Sequence, residues 1–118
     1  MEQAVLPRPV GDARPIRVLV VDDNAGFRES LLSLLFTGNL SVVGEAGSGA
    51  EALELVGKLE PDVVLMDVRM PAMDGIEATR RLKQRYPSVG VVALSSHEDQ
   101  EIVRGMLVAG ASGYVHPW

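Results

Sequence analysis

Five short segments rich in apolar and β-branched residues constrain the fold of this 118-residue chain most strongly. Several of these segments are apolar at consecutive positions, which is typical of strands buried on both faces of a parallel sheet. Residues that favour turns, such as glycine, asparagine and proline, separate them from the segments that follow. The predicted strands are residues 18–21, 40–43, 62–67, 89–94 and 113–115.

Four segments between these strands carry apolar residues at the three- and four-residue spacing of an amphipathic helix. Their apolar positions are Phe27, Leu31, Leu34 and Leu35; Leu53, Val56 and Leu59; Ile76, Thr79, Leu82 and Tyr86; and Ile102, Val103, Met106 and Leu107. Ser48 and Glu51 form an S-x-x-E capping box at the start of the second helix. Because strands and helices alternate, the sequence predicts an α/β protein with a doubly wound, five-stranded parallel sheet.

The composition excludes several classes of protein. The chain has no cysteine, which excludes disulfide scaffolds, thiol catalysis and zinc–thiolate sites and favours a reducing, cytoplasmic location. Its net charge of −5 disfavours binding to a nucleic-acid backbone, so we expect no DNA binding by this chain. No apolar run approaches the roughly 18 residues of a membrane span, so we expect no membrane insertion. Three prolines within residues 1–15 predict a flexible leader before a domain over residues 16–118.

Acidic residues end two of the predicted strands, at the edge of the sheet where this architecture binds ligands. Asp22 and Asp23 end the first strand, Asp67 ends the third, and Ser95 follows the fourth. Taken singly, each acid is equally consistent with a helix cap or a loop residue. Together they repel one another, and at an effective dielectric constant of about 20 a pair about 4 Å apart costs about 4 kcal/mol. No Lys or Arg lies at these strand ends, so the expected counter-charge is a divalent cation that accepts oxygen ligands: Mg²⁺, Mn²⁺ or Ca²⁺.

The glycines after the second predicted strand do not indicate a nucleotide site. Gly44, Gly47 and Gly49 are spaced G-x-x-G-x-G rather than G-x-G-x-x-G, and they follow the second strand rather than the first. The first strand leads instead into Asp22 and Asp23, which repel a phosphate unless a metal intervenes. We therefore interpret the three glycines as turn residues.

Four stretches of the sequence together resemble the receiver domain of two-component response regulators. They are V-L-V-V-D-D at 18–23, D-V-V-L-M-D-V-R-M-P-A-M-D-G at 62–75, V-V-A-L-S-S-H at 91–97 and G-A-S-G-Y-V at 110–115. The amino-acid sequence of these stretches is most similar to the NarL/FixJ-like branch. Members of that branch usually continue into a LuxR-type DNA-binding domain, which we do not expect in this chain. The resemblance implies a flavodoxin-like receiver fold with strand order 2-1-3-4-5.

The resemblance also implies a role for the acids at the strand ends. Asp67 matches the phosphoacceptor, which takes a phosphoryl group from a histidine kinase. Asp22 and Asp23 match the acid pair that positions Mg²⁺, to which Asp67 and the backbone carbonyl of Arg69 also bind. Such a protein is a phosphorylatable switch that regulates a partner or output domain, commonly in transcription, and it has no turnover substrate.

Two further positions carry the response of the switch in this family. Ser95 matches the hydroxyl that binds the phosphoryl group, and Tyr114 matches the aromatic residue that turns inward as Ser95 moves. The family has a Lys shortly after that aromatic residue, and this chain has none there. With a one-residue gap His116 falls on the Lys position, and without the gap Pro117 does. Because an imidazole carries a weaker and pH-dependent charge, we expect weaker switching.

The family fold ends in a fifth helix, whereas this chain ends at Trp118. Without that helix, we expect exposed apolar faces on the first, fourth and fifth strands, and such patches promote association. The sequence therefore predicts self-association or exchange of an element between chains. The alternative is partial cover by the apolar leader residues Ala4, Val5, Leu6 and Val10.

Two other functions stay open at this point. A receiver-like interaction module that works without phosphorylation is favoured by the absence of the Lys and of the fifth helix. A phosphohydrolase with an aspartate nucleophile is disfavoured, because it needs a second Asp two residues later as general acid and Arg69 occupies that position. The intact acids and Ser95 favour the phosphorylatable switch.

Overall fold

A computed structural model describes residues 14–24, 40–67, 74–94 and 100–115 of the chain. The described strands are β1 (Ile16–Val21), β2 (Leu40–Ala46), β3 (Val63–Asp67), β4 (Gly90–Leu94) and β5 (Gly113–Val115). They form one sheet in the order β2-β1-β3-β4-β5, and each neighbouring pair is parallel. The predicted α/β class, parallel sheet and strand order are therefore confirmed.

The described helices are α1 (Gly49–Leu59), α2 (Gly75–Arg85) and α3 (Gln100–Ala109). They confirm three of the four predicted helices, and the one predicted around Phe27 and Leu31 lies outside the described residues. The proposed leader also lies outside them, apart from Arg14 and Pro15, which are exposed. No described helix is long and apolar enough to cross a lipid bilayer.

The start of α1 shows why this helix begins where it does. The Ser48 hydroxyl accepts a hydrogen bond from the Glu51 amide at 3.1 Å, as the capping box predicts. The Glu51 carboxylate reaches back one residue further than that motif requires and accepts from the amide of Gly47 at 2.7 Å. The first bond satisfies an amide that an isolated helix start leaves without a partner, and the second ties the residue before the cap to the first turn of the helix.

The glycines before α1 correct one detail of the sequence interpretation. Gly47 lies between β2 and α1, as expected of a turn residue, but Gly44 lies inside β2 and Gly49 is the first residue of α1. A side chain at Gly44 would bring its Cβ within 2.6 Å of Leu59 and 3.3 Å of Leu19. Glycine at position 44 therefore allows α1 to pack closely on the sheet, and β2 continues through this residue.

The described helices pack on one face of the sheet. Between this face and the helices lies a cluster of buried apolar side chains. Its strand residues include Leu19, Val21, Val64, Met66, Val91 and Ala93, and its helix residues include Ala52, Val56, Ala78, Leu82 and Met106. A second cluster on the other face contains Val18, Val20 and Leu94. Side chains thus alternate between two faces along β1, β3 and β4, as consecutive apolar positions predict.

The expectation of exposed apolar faces is wrong for the first and fourth strands, and α3 differs from the prediction at one residue. The apolar side chains of β1 and β4 on the second face are not exposed: Val18, Val20, Val92 and Leu94 are at most 3% accessible. On α3, Met106 is buried as predicted, but Leu107 is 45% exposed. Adjacent helical positions point about 100° apart, so only one of these two neighbours faces the sheet.

Candidate functional site

The register of β1 and β3 places their final acids side by side. Val21 pairs with Met66 in the parallel ladder, so Asp22 and Asp67, each the next residue of its strand, leave the sheet at the same edge. β4 ends level with them, because Asp67 pairs with Leu94. Neighbouring parallel strands therefore bring acids that are far apart in sequence to one carboxyl edge, as predicted.

The three acids differ in burial. Asp22 is only 2% exposed, Asp67 is half-buried and Asp23 is exposed. Asp22 is held on both sides: its amide donates to the Ala46 carbonyl at 3.0 Å, and its Oδ1 accepts from the Asn24 amide at 2.7 Å. The site thus combines one rigidly held carboxylate with one that is open to solvent.

The carboxylates are close enough to share a cation. One oxygen from each of Asp22, Asp23 and Asp67 can be chosen so that all lie within 4.8 Å of one another. Oxygens bound to one Mg²⁺ lie about 2.9 Å apart when adjacent and about 4.2 Å apart when opposite, given bonds of about 2.0–2.1 Å. The spacing of the three acids lies close to that range, and their carboxylate oxygens are the ligands that Mg²⁺ and Mn²⁺ prefer, so the residues fit either ion.

The other predicted site residues are covered only in part. Tyr114 lies in β5, where its backbone pairs with Ala93 of β4. β4 in turn pairs with β3, so one strand separates Tyr114 from the strand that ends at Asp67. Arg69, Ser95 and His116 lie outside the described residues. Their roles at the site stay predictions.

Neither lysine of the chain stands in for the missing family Lys. The only lysines are Lys58 and Lys83. Lys58 lies on α1 and pairs with Glu54 one turn earlier. Lys83, near the end of α2, donates to the carbonyls of Pro87 and Val89, each at 2.8 Å. Both ammonium groups are therefore engaged locally, on or directly after helices.

Sequence reasoning missed the contact of Asn24 with Asp22. The donor is a backbone amide, so the identity of residue 24 carries no side-chain signal for it. The only hint is the general tendency of Asp to accept a bond from the amide two residues later. The geometry therefore adds a fourth residue to the three acids at this edge.

Comparison with known proteins is consistent with this geometry. The family model of the response regulator receiver domain matches residues 18–116. The transcriptional regulatory protein DegU of Brevibacillus brevis is 46% identical over 101 residues, which cover 85% of this chain and 43% of DegU. The chain thus spans less than half the length of that relative.

Solved structures show the same similarity. The signal receiver domain of NarL from Mycobacterium tuberculosis superposes with a TM-score of 0.80 at 40% identity, covering 86% of this chain and 82% of that domain. The receiver domain of the histidine kinase CKI1 from Arabidopsis thaliana, complexed with Mg²⁺ and BeF₃⁻, superposes with a TM-score of 0.78 at 34% identity. That match covers 88% of this chain and 82% of the CKI1 domain.

Proposed function

This chain belongs to the response regulator receiver domain family, and we propose that it is a phosphorylatable signalling switch. In this proposal Asp67 accepts a phosphoryl group from a histidine kinase, and Asp22 and Asp23 hold Mg²⁺ or Mn²⁺ beside it. The observation that carries the proposal is the approach of three carboxylates to within 4.8 Å at the ends of two adjacent parallel strands.

The chemical step assigns Asp67 the role of nucleophile. One oxygen of its carboxylate forms a bond to phosphorus while the P–N bond of a phosphohistidine breaks, and the electron pair of that bond stays on the imidazole nitrogen. Bound Mg²⁺ supplies positive charge that offsets the negative charge of the phosphoryl oxygens. Asp22, Asp23 and the backbone carbonyl of Arg69 orient that charge next to Asp67. Later attack of water on phosphorus releases phosphate and restores the Asp67 carboxylate, so the cycle consumes no other substrate.

The response of the switch is assigned to two residues from the family pattern. The Ser95 hydroxyl binds the new phosphoryl group, and Tyr114 follows it inward. Such contacts favour one of two pre-existing conformers, and a few kcal/mol of differential contact is enough to reverse their populations. With a one-residue gap His116 takes the Lys position with a weaker charge, and without the gap Pro117 takes it with none; either alignment lowers the strength of this coupling.

The relatives support the signalling context. DegU is a transcriptional regulatory protein, which favours regulation of transcription as the output. The CKI1 domain binds Mg²⁺ together with BeF₃⁻, an ion with the charge and shape of a phosphoryl group. A cytoplasmic location and self-association of this chain stay predictions.

The test is phosphorylation of the intact chain by a small phosphodonor. With Mg²⁺ and a low-molecular-weight acyl phosphate, the intact mass is expected to rise by about 80 Da, the mass of one phosphoryl group. Asp67→Ala and omission of Mg²⁺ are expected to abolish the increase. Asp74→Ala is the matched control, because Asp74 caps α2 by accepting from the Glu77 amide and lies outside the acid cluster.

Two results contradict the switch in different ways. If no adduct forms under any donor or metal condition, the chain is an interaction module that works without phosphorylation. If phosphate is released continuously from excess donor at a high rate, the chain is an aspartate-nucleophile phosphohydrolase. A slow loss of one equivalent of phosphate from the isolated adduct agrees with the proposal.

A further inference from the structure

Asp22 differs from the other acids of the site because the main chain holds its carboxylate. The side chain is 2% exposed, and Oδ1 accepts from the Asn24 amide at 2.7 Å. A hydrogen bond from an amide to a carboxylate is charge-assisted and roughly twice as strong as one between neutral groups. This contact therefore limits the rotation of the Asp22 carboxylate.

The same contact closes a small ring around Asp23. The bond runs from residue 22 to the amide of residue 24, so the backbone of Asp23 lies inside the turn that it closes. On the other side, the Asp22 amide donates to the carbonyl of Ala46, a fully buried residue at the end of β2. Asp22 is thus held through both its amide and its carboxylate, and the backbone of Asp23 lies within the turn that the second bond closes.

We infer that the backbone N–H of Asn24 is a positioning group for the metal site, which acts by orienting Asp22 rather than by touching the ion. The inference rests on the proposed function, because it assumes that Asp22 is a ligand of Mg²⁺. Groups that orient metal ligands in this way typically change metal affinity by about 10- to 100-fold when removed. Because the donor is the main chain, any residue except proline supplies it at position 24.

The test compares two substitutions at position 24 in the full chain. Asn24→Pro removes the N–H, and calorimetric titration with Mg²⁺ is expected to show an affinity at least about tenfold weaker. Asn24→Ala keeps the N–H and is expected to remain within about twofold of the wild-type affinity. Equal affinity of the Pro variant and the wild type overturns the inference, as does an equally large loss in the Ala variant.

Two measurements keep the test decisive if Asn24→Pro does not fold. The first is an amide-to-ester replacement at residue 24, made by joining a synthetic N-terminal peptide to the rest of the chain, which removes the N–H without adding a ring. The second is the amide proton resonance of Asn24 in the wild-type chain. A bond of 2.7 Å to a carboxylate is expected to move it downfield, and Asp22→Ala is expected to reverse this shift while Asp23→Ala is not. The inference is contradicted if the Asn24 amide proton has an ordinary chemical shift and that shift does not change in Asp22→Ala.

The failure of this inference and the failure of the proposed function give different results. Binding of Mg²⁺ that depends on the Asn24 N–H, without any adduct on Asp67, leaves the inference and removes the switch. An adduct on Asp67 together with Mg²⁺ affinity that is indifferent to the N–H leaves the switch and removes the inference. A wild-type chain that does not bind Mg²⁺ at all overturns both.

Discussion

Two aspartates near opposite ends of β1 have different surroundings. Asp62 lies at the amino edge, where its carboxylate accepts from the Arg17 amide at 2.8 Å, and its own amide donates to the Arg17 carbonyl at 2.8 Å. Its carbonyl accepts from the amide of Gly90 at 3.0 Å, at the start of β4. Asp22 lies at the carboxyl edge, where the oxygens of two further carboxylates come within 4.8 Å.

The difference shows how one residue type serves structure at one edge and chemistry at the other. Around Asp62, main-chain donors and acceptors of β1 and β4 surround the residue, so its bonds join neighbouring strands. Around Asp22, Asp23 and Asp67, like charges approach one another, and their mutual repulsion is unfavourable. We therefore expect substitutions at the amino edge to change stability and substitutions at the carboxyl edge to change metal binding.

The largest effect on stability is expected for Asp62→Ala. This change removes the acceptor for the part-buried amide of Arg17, and an unsatisfied donor of this kind costs about 2 kcal/mol in the free energy of unfolding. Asp62→Asn keeps a side-chain oxygen and is expected to cost less than half as much. Denaturant unfolding measures both, and Mg²⁺ affinity is expected to stay at the wild-type value. Weaker Mg²⁺ binding without a loss of stability would remove the distinction between the two edges.

The second effect is stabilisation by Mg²⁺. At tenfold excess over its dissociation constant, the ion is expected to raise the free energy of unfolding by about 1.4 kcal/mol, since it binds only the folded chain. Asp23→Asn is expected to abolish most of this increase, and Asp62→Asn, at the opposite edge, to retain it. Thermal unfolding with and without Mg²⁺ measures the increase. An Asp23→Asn chain that responds to Mg²⁺ like the wild type contradicts the assignment of Asp23 as a ligand.

A smaller effect of opposite sign is expected for Asp67→Asn without metal. Replacing one of three neighbouring carboxylates by a neutral amide relieves repulsion, and we expect about 1 kcal/mol of added stability together with complete loss of the phosphoryl adduct. Asp74→Asn is the control, because asparagine caps a helix as well as aspartate does. If Asp67→Asn is clearly less stable than the wild type, Asp67 has a structural role like that of Asp62.

The smallest expected effect on stability concerns Glu77, an acid that forms ion pairs with two arginines. Hydrogen bonds from Arg80 and then Arg81 hold the pKa of Glu77 below its ordinary value of 4.5. Because the pKa is lower in the folded chain, this contribution to stability is present above pH 4.5 and disappears as the pH falls through the folded-state value.

Glu77→Gln is expected to lose less stability on acidification than the wild type does, by a small amount because the groups are exposed. Denaturant unfolding between about pH 6 and about pH 3 measures the difference. Identical acid sensitivity of the two chains contradicts a contribution from Glu77.

The sequence was most informative where a pattern has one physical solution. Consecutive apolar residues in the segments around Val18 and Val63 need cover on both faces, and their alternation with amphipathic helices indicates a parallel sheet wrapped by those helices. Parallel strands end at one edge, so Asp22 and Asp67 had to be neighbours once the strand order was known. The capping residue Ser48 acts through a contact within one helical turn, so it too could be predicted from the sequence.

Other features depended on packing that no short pattern contains. Leu107 satisfies the helical spacing but points away from the core, because the contact of Gly105 with Ile76 and the burial of Met106 set the rotation of α3. Gly44 was interpreted as a turn residue, yet it pairs with Leu19 inside β2, and the approach of Leu59 leaves no room for a side chain there. These details follow from how α1 and α3 lie on the sheet.

By itself, the sequence determined the fold class and the identity of the three acids, because periodicity and strand-end chemistry are local properties. The strand order followed only from the resemblance to the receiver family. Only the tertiary structure decided that Asp22 is buried while Asp23 is exposed, since adjacent residues point to opposite sides and the cover on each side comes from distant segments. The tertiary structure alone also revealed the Asn24 amide at Asp22 and the use of Asp62 to join strands. Those contacts involve the main chain, whose donors and acceptors are the same at nearly every position and acquire a role only from where the fold places them.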